Sequence, residues 1–555
     1  MKNTIFLVLI VNWLTNLSFG QTPNWLWAKS SGGTLEDVPN IVTTDASGNV
    51  YIAGYFRSPS IILGSDTLTD PYNGMSGNTD WFIVKYDSIG NVLWTKNGKC
   101  IMSGIVTSLK VDILGNVYAV GYGRGQFTVG SVTIANALFI LKYDANGNLI
   151  WAKSMKGYGD WASIALDHSG NAYMTGNFRS DSLIFGYITL VNAHPQAWYH
   201  DIFLAKLDTN GNILWAKSAG GINNDNALSI AIDNLNNVYI TGYDTSPSIS
   251  FDSVTFENTG VFLVKYDTNG NVIWAKNFIG TGWGIGACVA VDNAGNPYVT
   301  GYYDGYSLYV DSIILTNYYP ASNDVFFIKT DMDGNVHWAK SAGGYGFDFG
   351  LSVAVDAFGS SYFVGSFKSD SITFGSLTLD NSSLTYDDIY IVKYDTDGNA
   401  LWAINEGGTQ HDGANSVAVD AAANLYVTGG FRSPTLTFNN ITLTNHYVGI
   451  SHMLDIFIAK MKQPEVNGID DLNRISNISV SPNPFSLSTK ISFGQTHNSI
   501  GIEVYNIQGQ LISKSRYADC SKILFNKNKL SSGLYVFKII VDDKIAETKK
   551  IVICD

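Results

Sequence analysis

One segment, DIYIVKYDTDGNALW at residues 388–402, limits what this chain can fold into, because close copies of it recur along most of the length. Ile389, Ile391 and Lys393 alternate with Tyr390, Val392 and Tyr394, a period of two with β-branched and aromatic residues on both faces. That pattern describes a strand buried between layers. Asp395 to Asn399 then reverses the chain, with Asp and Asn binding the local backbone and Gly398 supplying positive φ. Leu401 and Trp402 open the return strand. The same text stands at Phe139–Trp151, Phe203–Trp215, Phe262–Trp274 and Phe326–Trp338, with a weaker copy at Phe82–Trp94.

A second hairpin precedes each copy. Ser416–Asp420, a turn, and Leu425–Gly429 have counterparts ending at Gly54, Gly121, Gly176, Gly242, Gly301 and Gly365. Between the two hairpins lies a short insert, Ser371–Leu379 in one repeat and Ser248–Phe256 and Thr435–Leu443 in others, which reads as a small hairpin with a two-residue turn. The anchor tryptophans Trp27, Trp94, Trp151, Trp215, Trp274, Trp338 and Trp402 are spaced by about 60 residues. An all-β period of that length means radial blades rather than the shorter coils of a solenoid. The last Phe-Ile-x-Lys strand, Ile456–Met461, has no tryptophan strand after it, and a spare one, Trp25–Ser30, stands at the other end of the chain. Pairing the two closes a ring and removes its exposed edges. The expected fold is therefore all-β: a seven-bladed β-propeller of four-stranded blades with an inserted β-hairpin, closed by the N-terminal strand.

The paired VDxxGNVYVTG-like and DIFIAKYDxxGNxLWAK-like signatures resemble the SBBP-type bacterial seven-bladed propeller repeat over roughly residues 25–462. The resemblance implies a propeller and assigns it no chemistry.

The ends divide the chain further. Residues 1–20 hold Lys2, the apolar run Ile5–Val11 and Ser18-Phe19-Gly20 at a cleavage-like spacing, as a secretory signal does. The propeller is expected over 21–464 and a polar linker over 465–475. Beyond it, residues 476–555 hold short strands that read as a small Ig-like β-sandwich. Ser481-Pro-Asn-Pro-Phe485, the Val504–Gly509 hairpin, Leu530–Val536 and the basic-apolar end Thr548–Ile553 resemble the type A C-terminal sorting domain of the Bacteroidota type IX secretion system. That resemblance implies the type IX machinery as partner, removal of the domain, and a secreted or surface-attached product.

Charge is uneven: residues 21–469 carry 22 Lys+Arg against 39 Asp+Glu, while the whole chain stands at −13. A body this acidic repels phosphate backbones, so nucleic acid is not an expected partner. No later stretch has the length to span a bilayer. Four cysteines are too few for a disulfide scaffold, and pairing of Cys520 with Cys554 stays open.

No nucleophile–base set, phosphate loop or metal-type histidine pair stands in the sequence, so the expectation is a non-enzyme without cofactor or metal. The Asp-x-Asp-Gly turns lack the distal ligands of a calcium loop and read as turn chemistry. His194 with His200, and His446 with His452, share long loops and read as solvated rather than ligating. Two periodic sets stand out. Asp37, Asp160, Asp348 and Asp412 lie 19 or 20 residues before Arg57, Arg179, Lys368 and Arg432, which suggests structural salt bridges on the face of the blade-linking loops. Asp225 breaks that pattern, with Asp244 where its base belongs. The same face collects Trp161, Trp198 and Trp283, and these three with Asp225 are the candidate ligand contacts, suited to sugar stacking. Two functional readings remain open: a binding or structural module, and a glycan-binding or glycan-active protein.

Overall fold

The computed structural model describes residues 23–72, 78–194, 198–447, 453–463, 478–481, 483, 485–506, 511–527, 530–541 and 544–553. The expected signal peptide, the linker, His452 and Cys554 lie outside them. The chain divides into two compact units, within 1–464 and 465–555.

In the first unit the repeats form antiparallel sheets whose main strands lie side by side in chain order, except that the last sheet takes its fourth strand from the N-terminus. In the sixth repeat these are Asp348–Val355, Ser361–Phe367, Asp388–Tyr394 and Ala400–Glu406. The third strand is buried on both faces, as its apolar, unbroken text requires. The turns are self-sufficient. Asp395 Oδ1 accepts the N–H groups of Asp397 (2.9 Å) and Asn399 (2.8 Å), and Oδ2 accepts Asn399 Nδ2 (2.9 Å). Asp397 contributes only its backbone N–H, which is why the residue type at that position varies between copies, and the Asp395 carboxylate is spent within its own turn.

Six of the seven first strands carry a bulge opposite the glycine of the second strand; the third repeat pairs without one. At Gly365 the carbonyl of Phe349 fills the space a Cβ would take, so no other residue fits. The bulge turns side chains toward the neighbouring repeat: Asn40 Nδ2 donates to Val106 O (2.8 Å) and Asn415 Nδ2 to Pro39 O (2.8 Å). The inserted hairpins have two-residue turns, as in Ser371–Phe374 with Leu377–Asp380. In the second repeat the insert instead continues the long strands Val117–Val129 and Val132–Tyr143.

Neighbouring repeats are clamped at the turn face. Trp274 Nε1 (3.0 Å) and Lys265 Nζ (2.7 Å) both donate to Met332 O in the next repeat's turn. Tyr239 meets the Trp274 ring edge-on at 6.0 Å and lies 5.1 Å from the lysine nitrogen. The same arrangement joins Lys85 and Trp94 to Ala145, Lys142 and Trp151 to Thr209, Lys206 and Trp215 to Thr268, and Lys329 and Trp338 to Thr396.

The N-terminal strand Asn24–Ser31 pairs antiparallel with Asp455–Lys462, Asn24 opposite Lys462 and Ser31 opposite Ile456, where the sequence places it. Lys460 and Trp27, from opposite ends of the unit, then clamp Ser88 O in the first repeat at 3.0 and 3.2 Å. Val42 N–H donates to Ser416 Oγ (3.1 Å), so first and last repeats are neighbours. The fold is propeller-like, its blades the four-stranded sheets. Closure leaves one defect. The turn that would accept from Trp402 is missing, because the third and fourth strands of that sheet come from the two chain ends; among the described residues the buried Trp402 Nε1 has no partner.

The second unit corrects an expectation. Among its described residues five strands, Ser479–Ser481, Ser488–Tyr505, Leu511–Asn526, Gly533–Val541 and Lys544–Ile553, form one curled sheet rather than a two-sheet Ig-like sandwich. The 18-residue strand pairs with the first strand at its start and with Gly533–Val541 at its end. A strand that long coils instead of staying flat, and the sheet buries one face on itself around Ile491, Ile502, Phe525 and Phe537. A parallel bridge between Phe485 and Ile553 ties the start to the end.

Candidate functional site

All loops between sheets emerge at the end of the propeller opposite the Asp-x-x-Gly-Asn turns, and the candidate residues lie there. Three of the four expected salt bridges do not form. Asp37 Oδ1 accepts the backbone N–H of Arg57 (3.1 Å) and of Ser58 (3.2 Å), while Oδ2 accepts Ser58 Oγ (2.8 Å). Asp348 takes the same contacts from Lys368 and Ser369, and Asp412 from Arg432 and Ser433. The basic side chains point elsewhere, because a fully buried carboxylate is better satisfied by fixed N–H donors than by a flexible base. The informative sequence signal was the serine one position further on.

Asp225 is corrected in two ways. It follows the pattern, accepting from Thr245 N–H, Ser246 N–H and Ser246 Oγ at 3.1, 3.2 and 2.7 Å. It is also fully buried, so it cannot touch a ligand. Burial pushes the carboxyls of Asp37 and Asp412 up to about 7, and those of Asp225 and Asp348 upward.

The third repeat is the exception. Asp160 is half-buried and pairs with Arg179 Nε (3.2 Å), Arg124 Nη2 (3.0 Å) and His200 Nε2 (3.1 Å). The His200 hydrogen bond, followed by the two guanidinium groups, holds its carboxyl down at about 2. Asn224 Oδ1 fixes His200 Nδ1 at 3.0 Å. At the ring seam, Arg57 Nη1 pairs with Glu36 (2.6 Å) and Arg432 Nη2 approaches the same carboxylate (3.7 Å). Beside them His411 Nδ1 meets Asp387 Oδ2 at 3.0 Å under the edge of Tyr386. Asp387, His411 and Arg432 open onto a cavity of about 280 Å³, lined also by Val38, Asp412, Asn415 and Leu454. Among the described residues Arg432 Nε meets no hydrogen-bond acceptor.

The aromatic candidates separate. Trp161 is half-buried and donates its indole N–H to Leu228 O in the next repeat (2.9 Å), which makes it an inter-sheet tie. Trp198 is 64% exposed, with the Arg179 guanidinium 5.9 Å from its ring. Trp283 is 47% exposed, braced edge-on by Tyr243 at 5.4 Å. Sequence reasoning passed over Tyr319, which meets the exposed Tyr345 ring edge-on at 5.5 Å. His446 is held by Asp455, which it meets through Nδ1 at 2.6 Å, and His200 by Asp160 and Asn224. Among the described residues no group of three His, Cys, Asp or Glu is placed to hold a metal ion.

Residues 479–554 match the model of the secretion system C-terminal sorting domain. The chain is similar to an uncharacterised WD repeat-containing protein of Acanthamoeba polyphaga mimivirus, 25% identical over 517 residues that cover 75% of this chain. It is also similar to the regulatory protein FlaEY of Caulobacter vibrioides, 33% identical over 112 residues that cover 20% of this chain. It spans 36% and 12% of the length of these two relatives. A fungal alcohol oxidase structure aligns over 96% of this chain and 99% of its own at 12% identity and a TM-score of 0.41. The WD40 domain of Neurospora crassa Pan2 aligns over 61% and 94% at 9% identity and a TM-score of 0.33. The first unit is propeller-like by its own sheet order, and the type IX C-terminal sorting domain makes the chain a secreted or cell-surface protein.

Proposed function

We propose that the repeats close a seven-bladed propeller of the SBBP type, and that this propeller is a non-catalytic binding module. The sorting domain delivers it through the type IX machinery of a Bacteroidota cell and is then removed. The observation that carries the binding reading is the loop face. Trp198, Trp283 and Tyr345 stand 64%, 47% and 81% exposed on a rim whose strands are locked by inter-sheet hydrogen bonds. Rigid aromatic rings of this kind give contact area at little cost in ordering. They favour a carbohydrate ligand, since a sugar's C–H face stacks on a ring while its hydroxyls meet the polar groups between. The test is pull-down of the full chain on insoluble polysaccharides beside its Trp198→Ala/Trp283→Ala variant. Retention that the variant loses is the expected result. Absence of retention on every polysaccharide overturns the glycan reading.

A further inference from the structure

We propose that Arg432, Arg57, Arg124 and Arg179 form a binding arc for an acidic polysaccharide, one bearing carboxylate or sulfate groups. This rests on the binding-module reading and names the ligand's charge class. Arginine occurs at 57, 124, 179, 432, 474 and 516, so every arginine of the propeller belongs to the arc. Each stands three residues after the second-strand glycine of its repeat, after Gly54, Gly121, Gly176 and Gly429. These are the seventh, first, second and third repeats, which are neighbours around the closed ring. The corresponding positions in the fourth, fifth and sixth repeats hold Thr245, Asp304 and Lys368, so the arginines are consecutive rather than scattered.

The fold fixes where they start. The backbone N–H groups of Arg57, Arg179 and Arg432 donate to the carbonyls of Glu36, Tyr158 and His411 at 3.0, 2.9 and 2.8 Å. The Asp cradles beneath Arg57 and Arg432 bind backbone and serine, so both guanidinium groups are left to the partly exposed Glu36 they share rather than to the buried carboxylates. The side chains remain 29–51% exposed. Glu36 and Asp160 each face two guanidinium groups, while Asp387 and the buried Asp412 stand beside Arg432 on the cavity wall, so the excess of guanidinium over carboxylate is local to the two arginine pairs.

A local surplus of that sign is what an anionic ligand needs, and the planar fork of arginine suits carboxylate and sulfate oxygens better than lysine does. Arg432 Nε, buried and without an acceptor among the described residues, is one such position. The cavity beside it, about 280 Å³, has room for roughly one sugar unit. At the other end of the arc, Trp198 lies under Arg179 and offers a ring for the next unit to stack upon. A chain with regularly spaced charges meets all of these features at once.

The experiment measures binding of the full chain to polygalacturonate, to its fully methyl-esterified form and to chondroitin sulfate at low salt. Wild type is expected to bind one or both acidic polymers at least tenfold more tightly than the ester, with affinity falling as salt rises. Arg57→Gln/Arg432→Gln and Arg124→Gln/Arg179→Gln should each lose tenfold or more while keeping the wild-type circular dichroism. Glu36→Gln, which removes a competing carboxylate, should bind several-fold more tightly. Equal binding of acid and ester, or unchanged affinity in both double variants, overturns the arc. If a neutral polysaccharide is bound and released only by Trp198→Ala/Trp283→Ala, the glycan reading stands and the acidic one falls. Tighter binding of a single-stranded oligonucleotide than of either acidic polymer also overturns the proposal.

Discussion

Replacing each anchor tryptophan with phenylalanine should give one outlier, and the outlier identifies the ring seam. At Trp274, phenylalanine keeps most of the ring packing and removes a donor bonded at 3.0 Å to Met332 O. A neutral hydrogen bond contributes about 0.5–1.5 kcal/mol net. The carbonyl is still held by Lys265 at 2.7 Å, so its acceptor is not orphaned and the lower half of that range applies. Adding about 0.5 kcal/mol for altered packing gives a loss of roughly 1–1.5 kcal/mol, and Trp215→Phe should match it. At Trp402 the donor is buried and, among the described residues, unpaired, so its removal relieves a desolvation cost of about 1–3 kcal/mol. Trp402→Phe is therefore expected to be neutral or stabilising. Urea unfolding followed by far-ultraviolet circular dichroism, which does not depend on tryptophan emission, measures the difference. A loss at Trp402 equal to that at Trp274 and Trp215 would show that its indole is partnered and that the defect left by closure does not exist.

Other outcomes follow from the same contacts. Arg57→Gln and Arg432→Gln should each change stability by less than about 1 kcal/mol, whereas Asp37→Ala, which strips an acceptor from the buried Ser58 N–H and hydroxyl while Arg57 N–H keeps Glu36 O, should cost about 2 kcal/mol; urea midpoints compare them. Gly365→Ala should prevent folding or cost upward of about 3 kcal/mol, because the Phe349 carbonyl occupies the Cβ position; soluble yield and the melting curve report it. Burial raises Asp37, Asp80, Asp201, Asp324 and Asp412 to about 7 and Asp244 to about 8. Folded carboxyls of that kind hold protons more tightly than unfolded ones, so their contribution is intact below pH ~4 and is lost as pH rises toward 8. Asp160, held down at about 2, acts oppositely and loses its contribution only in acid. A melting temperature that falls between pH 5 and pH 8 is the expected result, and one that rises across that window contradicts it.

Much of the fold was legible because repetition exposes it. A strand buried on both faces, a glycine opposite a bulge and an Asx-stabilised turn each leave the same text at every copy. The missing tryptophan strand after Met461 and the spare one at Trp25–Ser30 gave the seam. The site was less legible, because position along a repeat does not say where a side chain points. Asp37 and Arg57 have the spacing of a pair, yet the strand geometry delivers the Arg57 amide, not its guanidinium, to the carboxylate. Trp161 and Trp283 look alike in sequence, but one is tied to Leu228 and the other stands free on the rim. The long strand of the C-terminal unit was misread for another reason. Ser488–Tyr505 contains polar and glycine breaks that resemble turns, and only coiling around a shared core lets one strand run through them.

Ring closure is tested most directly by a cross-link between the two ends that form the shared sheet. Ala28 and Ala459 are paired across the Asn24–Ser31 and Asp455–Lys462 strands. Closure predicts that Ala28→Cys/Ala459→Cys oxidises within one chain, gives a disulfide-linked peptide joining residues 28 and 459 by mass spectrometry, and raises the urea midpoint. A folded protein whose two new cysteines stay reduced, or pair only between molecules, would contradict it.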